Sequence, residues 1–114
     1  MNLQEIVKEL ELTCLTQPQD LSVVVPTSGY ASDLLSCVMA GAKKDGLWIT
    51  LQAHLNIIAV AALLELSAII VTENAPVEQP VIDKANDQGV ILLATPLPTY
   101  AVVGKLWEMG LHGV

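Results

Sequence analysis

Three short apolar runs separated by helical segments limit the possible folds of this chain more than any other feature. Residues 47–50, 68–72 and 90–94 are of strand length and almost free of polar side chains, as strands covered on both faces are. Strands joined through helices cross over and run parallel. The pattern therefore predicts a three-layer α/β/α domain with a mostly parallel sheet of four to five short strands.

The first third of the chain contains two further predicted strands. A short one is expected over residues 13–15, and the β-branched run 21–25 predicts another that ends at Pro26. A turn is expected over residues 26–31, followed by a helix that Ser32 caps.

The helix predicted over residues 57–66, with Asn56 as its cap, has no polar face before Glu65. Such a helix is normally covered on both sides, either inside the domain or by a second copy of the chain. The next helix is expected to begin near Pro80 and to end at Gly89. We predict one domain over residues 1–114 and a homodimer.

The charge balance argues against several classes of partner. The chain has 12 Asp and Glu residues against 5 lysines and no arginine, a net charge of −7. We therefore expect no nucleic-acid and no membrane binding. The longest apolar stretch, residues 55–71, is too short and too interrupted to span a bilayer, and no signal peptide is recognisable, so a cytoplasmic protein is expected. Cys14 and Cys37 are expected to be buried, reduced thiols.

The sequence lacks the known sets of catalytic and cofactor-binding residues. It has no phosphate-binding loop, no dinucleotide fingerprint, no metal-ligand spacing and no nucleophile elbow. We therefore predict no metal, no cofactor and no enzymatic activity.

Polar residues concentrate in three loops that precede helices, where backbone N–H groups and the helix dipole favour an electronegative ligand. Helix capping alone accounts for many of them, and Gly29 and His54 are the more specific features. Ligands of open α/β sheets bind outside the carboxyl ends of the strands. The candidate ligand-binding residues are Thr27, Ser28, Gly29, Tyr30, Ser32, Asp33, Thr50, Gln52, His54, Asn56 and Thr95.

Residues 27–36 (TSGYASDLLS), the run 48–52 (WITLQ) with the apolar helix after it, and residues 89–97 (GVILLATPL) resemble the DRTGG domain family in order and spacing. The resemblance covers residues 3–111. The Asp-Arg-Thr-Gly-Gly signature falls on residues 25–29, where only Thr27 and Gly29 match. The resemblance to this family implies an α/β domain with a regulatory role. Domains of the family occur beside CBS pairs and in phosphotransacetylases, and they are similar to the N-terminal domain of HPr kinase.

Three functions remain open at this point. The first is a regulatory or sensory module, without catalysis, that binds a small anionic or nucleotide-like metabolite at the carboxyl ends of the strands. The second is a structural module for dimerisation or partner docking. The third is a small enzyme that uses His54 with a hydroxyl of Thr50 or Ser28.

Overall fold

The chain folds around a five-stranded sheet that has helices on both faces. The computed structural model describes residues 1–113. Within them the helices are α1 (Leu3–Leu10), α2 (Leu35–Gly41), α3 (Asn56–Leu64), α4 (Gln79–Gln88) and α5 (Thr99–Glu108), and the strands are β1 (Thr13–Cys14), β2 (Gly29–Ala31), β3 (Leu47–Thr50), β4 (Ala68–Val71) and β5 (Leu92–Ala94). The order of these five strands is β1-β5-β4-β3-β2; β1 and β5 pair antiparallel, and the other three pairs are parallel. The predicted three-layer α/β/α fold is confirmed.

The sheet separates two apolar cores. Leu47 and Ile49 of β3 face a core built with α1 and α5, whereas Trp48 between them faces a core built with α2, α3 and α4. This alternation follows from the two-residue period of a strand. Trp48 is fully buried, and its indole N–H donates to the Ser32 carbonyl at 2.9 Å.

The three apolar runs form β3, β4 and β5 as predicted. Every residue of β3 and β4 is buried, which explains why these strands show no polar alternation. β5 starts at Leu92 rather than at residue 90, because Val90 is still tied by its N–H to Ala85 at the end of α4. These strands give the sheet its central, parallel part.

The predicted strand over residues 21–25 is wrong. Leu21–Val23 form a short 3-10 helix that Asp20 caps, and the Ser22 hydroxyl and N–H both donate to the Asp20 carboxylate and lower its pKa. The Val24 carbonyl accepts the Leu3 N–H at 2.8 Å, so the segment packs against α1 instead of joining the sheet.

The predicted turn over residues 26–31 is also wrong, because β2 occupies its second half. Tyr30 is in register with Trp48 of β3. The helix that follows begins at Leu35, and Ser32 accepts the Leu34 N–H just before it instead of capping it. β2 thus lies later in the chain than the predicted strand 21–25. Its position determines which polar residues lie at the carboxyl ends of the strands.

Three smaller expectations also change. Leu55, not Asn56, is the N-cap residue of α3. Helix α3 is not covered on all sides within the chain, because Leu63 is 67% exposed, so only cover by a second copy stays open. Cys14 and Cys37 are both exposed, so the prediction of buried thiols is wrong. No helix within residues 1–113 combines the length and the apolarity needed to cross a membrane.

Candidate functional site

Strands β2 to β5 all end at one side of the sheet, which we call the carboxyl edge. Three neighbouring strands end there on a buried threonine: Thr50 is the last residue of β3, Thr72 follows β4, and Thr95 follows β5. A buried hydroxyl needs a hydrogen-bond partner, and each of the three has one. The threonines therefore organise the loops of this edge.

Asp33 and Thr50 tie the loop after β2 to the loop after β3. The Asp33 carboxylate accepts the Thr50 hydroxyl at 2.8 Å and the Leu51 N–H at 2.9 Å. The Gln52 N–H in turn donates to the Thr50 hydroxyl oxygen at 3.0 Å, and its side-chain amide donates to the Asp33 carbonyl at 3.4 Å. Three predicted site residues are thus in one network.

The start of α5 is organised in a similar way by residues that the sequence analysis does not single out. The Glu73 carboxylate accepts the Thr99 N–H at 2.8 Å, and the hydroxyls of Thr72 and Thr99 lie 2.6 Å apart. An electronegative group therefore already occupies the start of this helix, and the chain itself supplies it. The position of Thr72 at the end of the apolar run 68–72 is the feature of the sequence that could have identified it as a residue of this edge.

The starts of α3 and α4 meet at a cleft of about 480 Å³ on the carboxyl edge. The imidazole of His54 is exposed at its rim, and its Nδ1 accepts the Asn56 N–H at 3.2 Å. An Nδ1 that accepts a hydrogen bond places the proton of the neutral ring on Nε2, where it can be donated to a ligand. The lining residues are Leu51, Ala53, His54, Leu55, Ala75, Pro76, Glu78, Pro80 and Val81.

Not all predicted site residues reach this edge. Thr27 and Ser28 precede β2 and lie at the opposite, amino side of the sheet, where Thr27 contacts the backbone of Lys44 and Asp45. Gly29 and Tyr30 lie within β2 itself. The remaining candidates lie in the loops or helix starts of the carboxyl edge: Ser32, Asp33, Thr50, Gln52, His54, Asn56 and Thr95.

The loops of the carboxyl edge carry negative charge and contain no lysine. They contain Asp33, Glu73 and Glu78, and none of the five lysines falls in residues 32–34, 50–55, 72–78 or 95–98. The ion pair between Lys44 and Glu65 lies at the amino side of the sheet. Among residues 1–113, no group of three or more His, Cys, Asp or Glu side chains is placed to hold a metal ion.

Comparison with solved structures supports the fold. The chain superposes with a TM-score of 0.73 and 16% identity on the CBS and DRTGG domains of the regulatory region of a Clostridium perfringens pyrophosphatase, complexed with its activator diadenosine tetraphosphate. The match covers 90% of this chain and 44% of that chain. No protein of curated function matches the chain.

The DRTGG domain family model matches residues 5–109, which is nearly the whole chain. The match includes all five strands and most of α1. The resemblance seen in the sequence is thereby confirmed, and the chain belongs to the DRTGG domain family.

Proposed function

We propose that this protein is a cytoplasmic regulatory module that binds a small molecule in the cleft between the starts of α3 and α4 and performs no chemistry of its own. The observation that carries the proposal is the cleft itself. It lies at the carboxyl edge, where α/β sheets of this kind take their ligands, and two helix starts and His54 border it.

The lining of the cleft suits a ligand with an apolar body and one electronegative group. Leu51, Leu55 and Val81 offer aliphatic contacts, and the Nε2–H of His54 offers one hydrogen-bond donor. The first N–H groups of α3 are already bonded to His54 and Leu55, and Glu78 adds a carboxylate to the lining.

The loops of the carboxyl edge contain no lysine, and Lys84 in the adjoining hollow lies beside Asp83 and Asp87. We therefore expect additional phosphates on a ligand to add little affinity. A nucleotide-like ligand with few charges fits best.

Three arrangements support a role without catalysis. The Thr50 hydroxyl donates to Asp33, so it is not paired with His54 as a nucleophile would be paired with its base. Ser28, the other hydroxyl considered with His54, lies at the opposite side of the sheet. The carboxylates of Asp33 and Glu73 already accept N–H groups of the chain's own backbone.

The test is a thermal-shift and calorimetric titration with adenosine, AMP, ATP and diadenosine tetraphosphate. A ligand at a hundred times its Kd stabilises the folded chain by about 2.7 kcal/mol. We expect His54→Ala to weaken binding by about threefold to tenfold, which corresponds to one lost hydrogen bond. We expect Leu55→Glu, which puts a charge in the apolar wall, to abolish it.

His112→Ala is the matched control, because His112 is the other histidine and does not line the cleft. It should leave the titration unchanged. The proposal fails if none of the four compounds stabilises the chain at millimolar concentration, or if His112→Ala weakens binding as much as His54→Ala does.

A second candidate function is self-association or docking. It is favoured by large apolar side chains that the structure leaves in solvent, Leu63 on α3 and Tyr100 and Trp107 on α5. Soluble monomers rarely expose such side chains in a contiguous patch.

A further inference from the structure

Helix α5 presents an apolar stripe to solvent, formed by Tyr100, Val103 and Trp107. These side chains are 92%, 37% and 57% exposed, respectively. At 100° per residue the three lie on one side of the helix. The two charged residues of α5, Lys105 and Glu108, fall outside that side. The stripe is therefore continuous and uncharged.

A groove runs beside the stripe, between α5 and the edge strand β2. Its volume is about 150 Å³, a space that accepts one aromatic ring. The groove exists because β2 is the last strand of the sheet and, within residues 1–113, no helix lies beyond α5 on this face. Among its lining residues are Gly29, Ala31, Ile49, Val103, Leu106 and Trp107.

The segment after α5 holds the groove in shape. Leu111 is buried against its floor, and the Gly29 N–H of β2 donates to the His112 carbonyl at 3.3 Å. The His112 ring stacks on Trp107 with 4.1 Å between the ring centroids. The indole is thus fixed before any partner arrives, which lowers the entropy cost of using it as an anchor.

We propose that a second copy of this chain occupies this surface, with Tyr100 of each copy inserted into the groove of the other. The protruding ring and the groove lie on the same face, and Tyr100 and Trp107 are about 10 Å apart along α5. A face that carries both a protrusion and a matching cavity is self-complementary under a two-fold axis. Such an axis would pass near Val103 and Gly104.

The available area fits a small specific dimer. The stripe exposes roughly 350 Å² of aromatic and aliphatic surface per copy, given the usual size of these side chains. Because a little over half of a typical interface area is apolar, this apolar area corresponds to a total buried area of about 1,200 Å² over both copies. That value is at the lower end of specific interfaces. Each copy carries a net charge of −7, so association must come from apolar contact and not from attraction between the copies.

This surface lies on the α1/α5 face of the sheet, whereas α3 and α4, which border the ligand cleft, lie on the other face. The inference therefore does not depend on the proposed ligand. The surface on α5 is also different from α3, the helix that has no polar face before Glu65 and for which the sequence suggested contact with a second copy.

Sedimentation velocity from 5 to 500 µM, at 0.15 and 0.5 M NaCl, tests the proposal. The wild-type chain should dimerise as its concentration rises, and more strongly at the higher salt, since salt screens repulsion between two acidic copies. Tyr100→Asp should remain monomeric at every concentration. Leu63→Asp, a matched change of an exposed residue on α3, should dimerise like the wild type.

Tryptophan quenching by acrylamide gives a second readout. Trp48 is fully buried and Trp107 is more than half exposed, so quenching reports on Trp107. Quenching should fall as the wild-type chain dimerises and stay constant for Tyr100→Asp. A wild type that is monomeric at 500 µM, a dimer that survives Tyr100→Asp, or a dimer lost on Leu63→Asp would each overturn the proposal.

Discussion

At the scale of single residues, two glycines are present for different physical reasons. A Cβ at Gly46 would lie 2.9 Å from the Lys43 carbonyl oxygen and 2.9 Å from the Ser28 hydroxyl, in the buried corner before β3. A Cβ at Gly104 on α5 would meet no atom within 4 Å. Of these two glycines, Gly46 is therefore the one that packing within the chain requires.

We predict that Gly46→Ala destabilises the fold by about 1–3 kcal/mol, because a backbone oxygen must move. Gly104→Ala should stabilise the monomer by about 0.5–1 kcal/mol, because alanine has the higher helix propensity. Urea unfolding at 5 µM measures both. In the proposed dimer the added methyl group lies near the two-fold axis, so Gly104→Ala should also weaken association. A loss of monomer stability in Gly104→Ala would contradict this account.

The sequence predicted the position of some polar residues that follow apolar strands, but it did not single out Thr72, which follows β4. Thr50 ends β3 and was identified correctly as a residue of the carboxyl edge, together with Gln52. Thr27 and Ser28 were placed at the wrong side of the sheet. The strand was predicted over residues 21–25, before them, whereas β2 begins at Gly29, after them. Glu73 was missed because its partner, Thr99, is distant in sequence.

At the scale of elements, the sequence predicts a strand well only where burial dictates its composition. β3 and β4 are buried along their whole length and were predicted almost residue for residue. β2 lies at the sheet edge, is three residues long and is only half-buried. Burial therefore does not require an apolar, β-branched sequence there, and Gly-Tyr-Ala resembles a turn. The β-branched run before it had the composition of a strand, but Val23 is 74% and Val25 56% exposed.

Helix α5 provides a prediction at this scale, because its start depends on a carboxylate from another loop. Glu73→Ala removes the acceptor of the Thr99 N–H and should destabilise the chain by about 0.5–2 kcal/mol, the range for loss of a helix cap. Glu73→Gln retains an acceptor oxygen and should cost less. Hydrogen exchange of the first turn of α5 measures the effect locally.

Glu78→Ala is the control for this prediction, because Glu78 makes no side-chain cap at the start of α4. Its effect on exchange in α5 should be negligible. Equal protection of the Thr99 N–H in the wild type and in Glu73→Ala would show that the cap does not stabilise α5.

At the scale of the whole molecule, the two cores are coupled because the same strands contribute side chains to both. Ile69 of β4 packs into the core formed with α2, α3 and α4, and its neighbour Ile70 packs into the core formed with α1 and α5. Both side chains are fully buried. Neither core can lose its strands without opening the other, so unfolding in one cooperative transition is expected.

Ile69→Val and Ile70→Val test this coupling. Each removes one buried methylene and should lower the free energy of unfolding by about 0.5–1.5 kcal/mol. In a Trp107→Phe background, Trp48 is the only tryptophan and its emission reports on the core of Ile69. Because the cores unfold together, Ile70→Val should shift the urea midpoint of Trp48 emission as far as it shifts the midpoint of far-UV circular dichroism. An emission midpoint that stays at the wild-type value while the dichroism midpoint falls would show that the two faces of the sheet unfold separately.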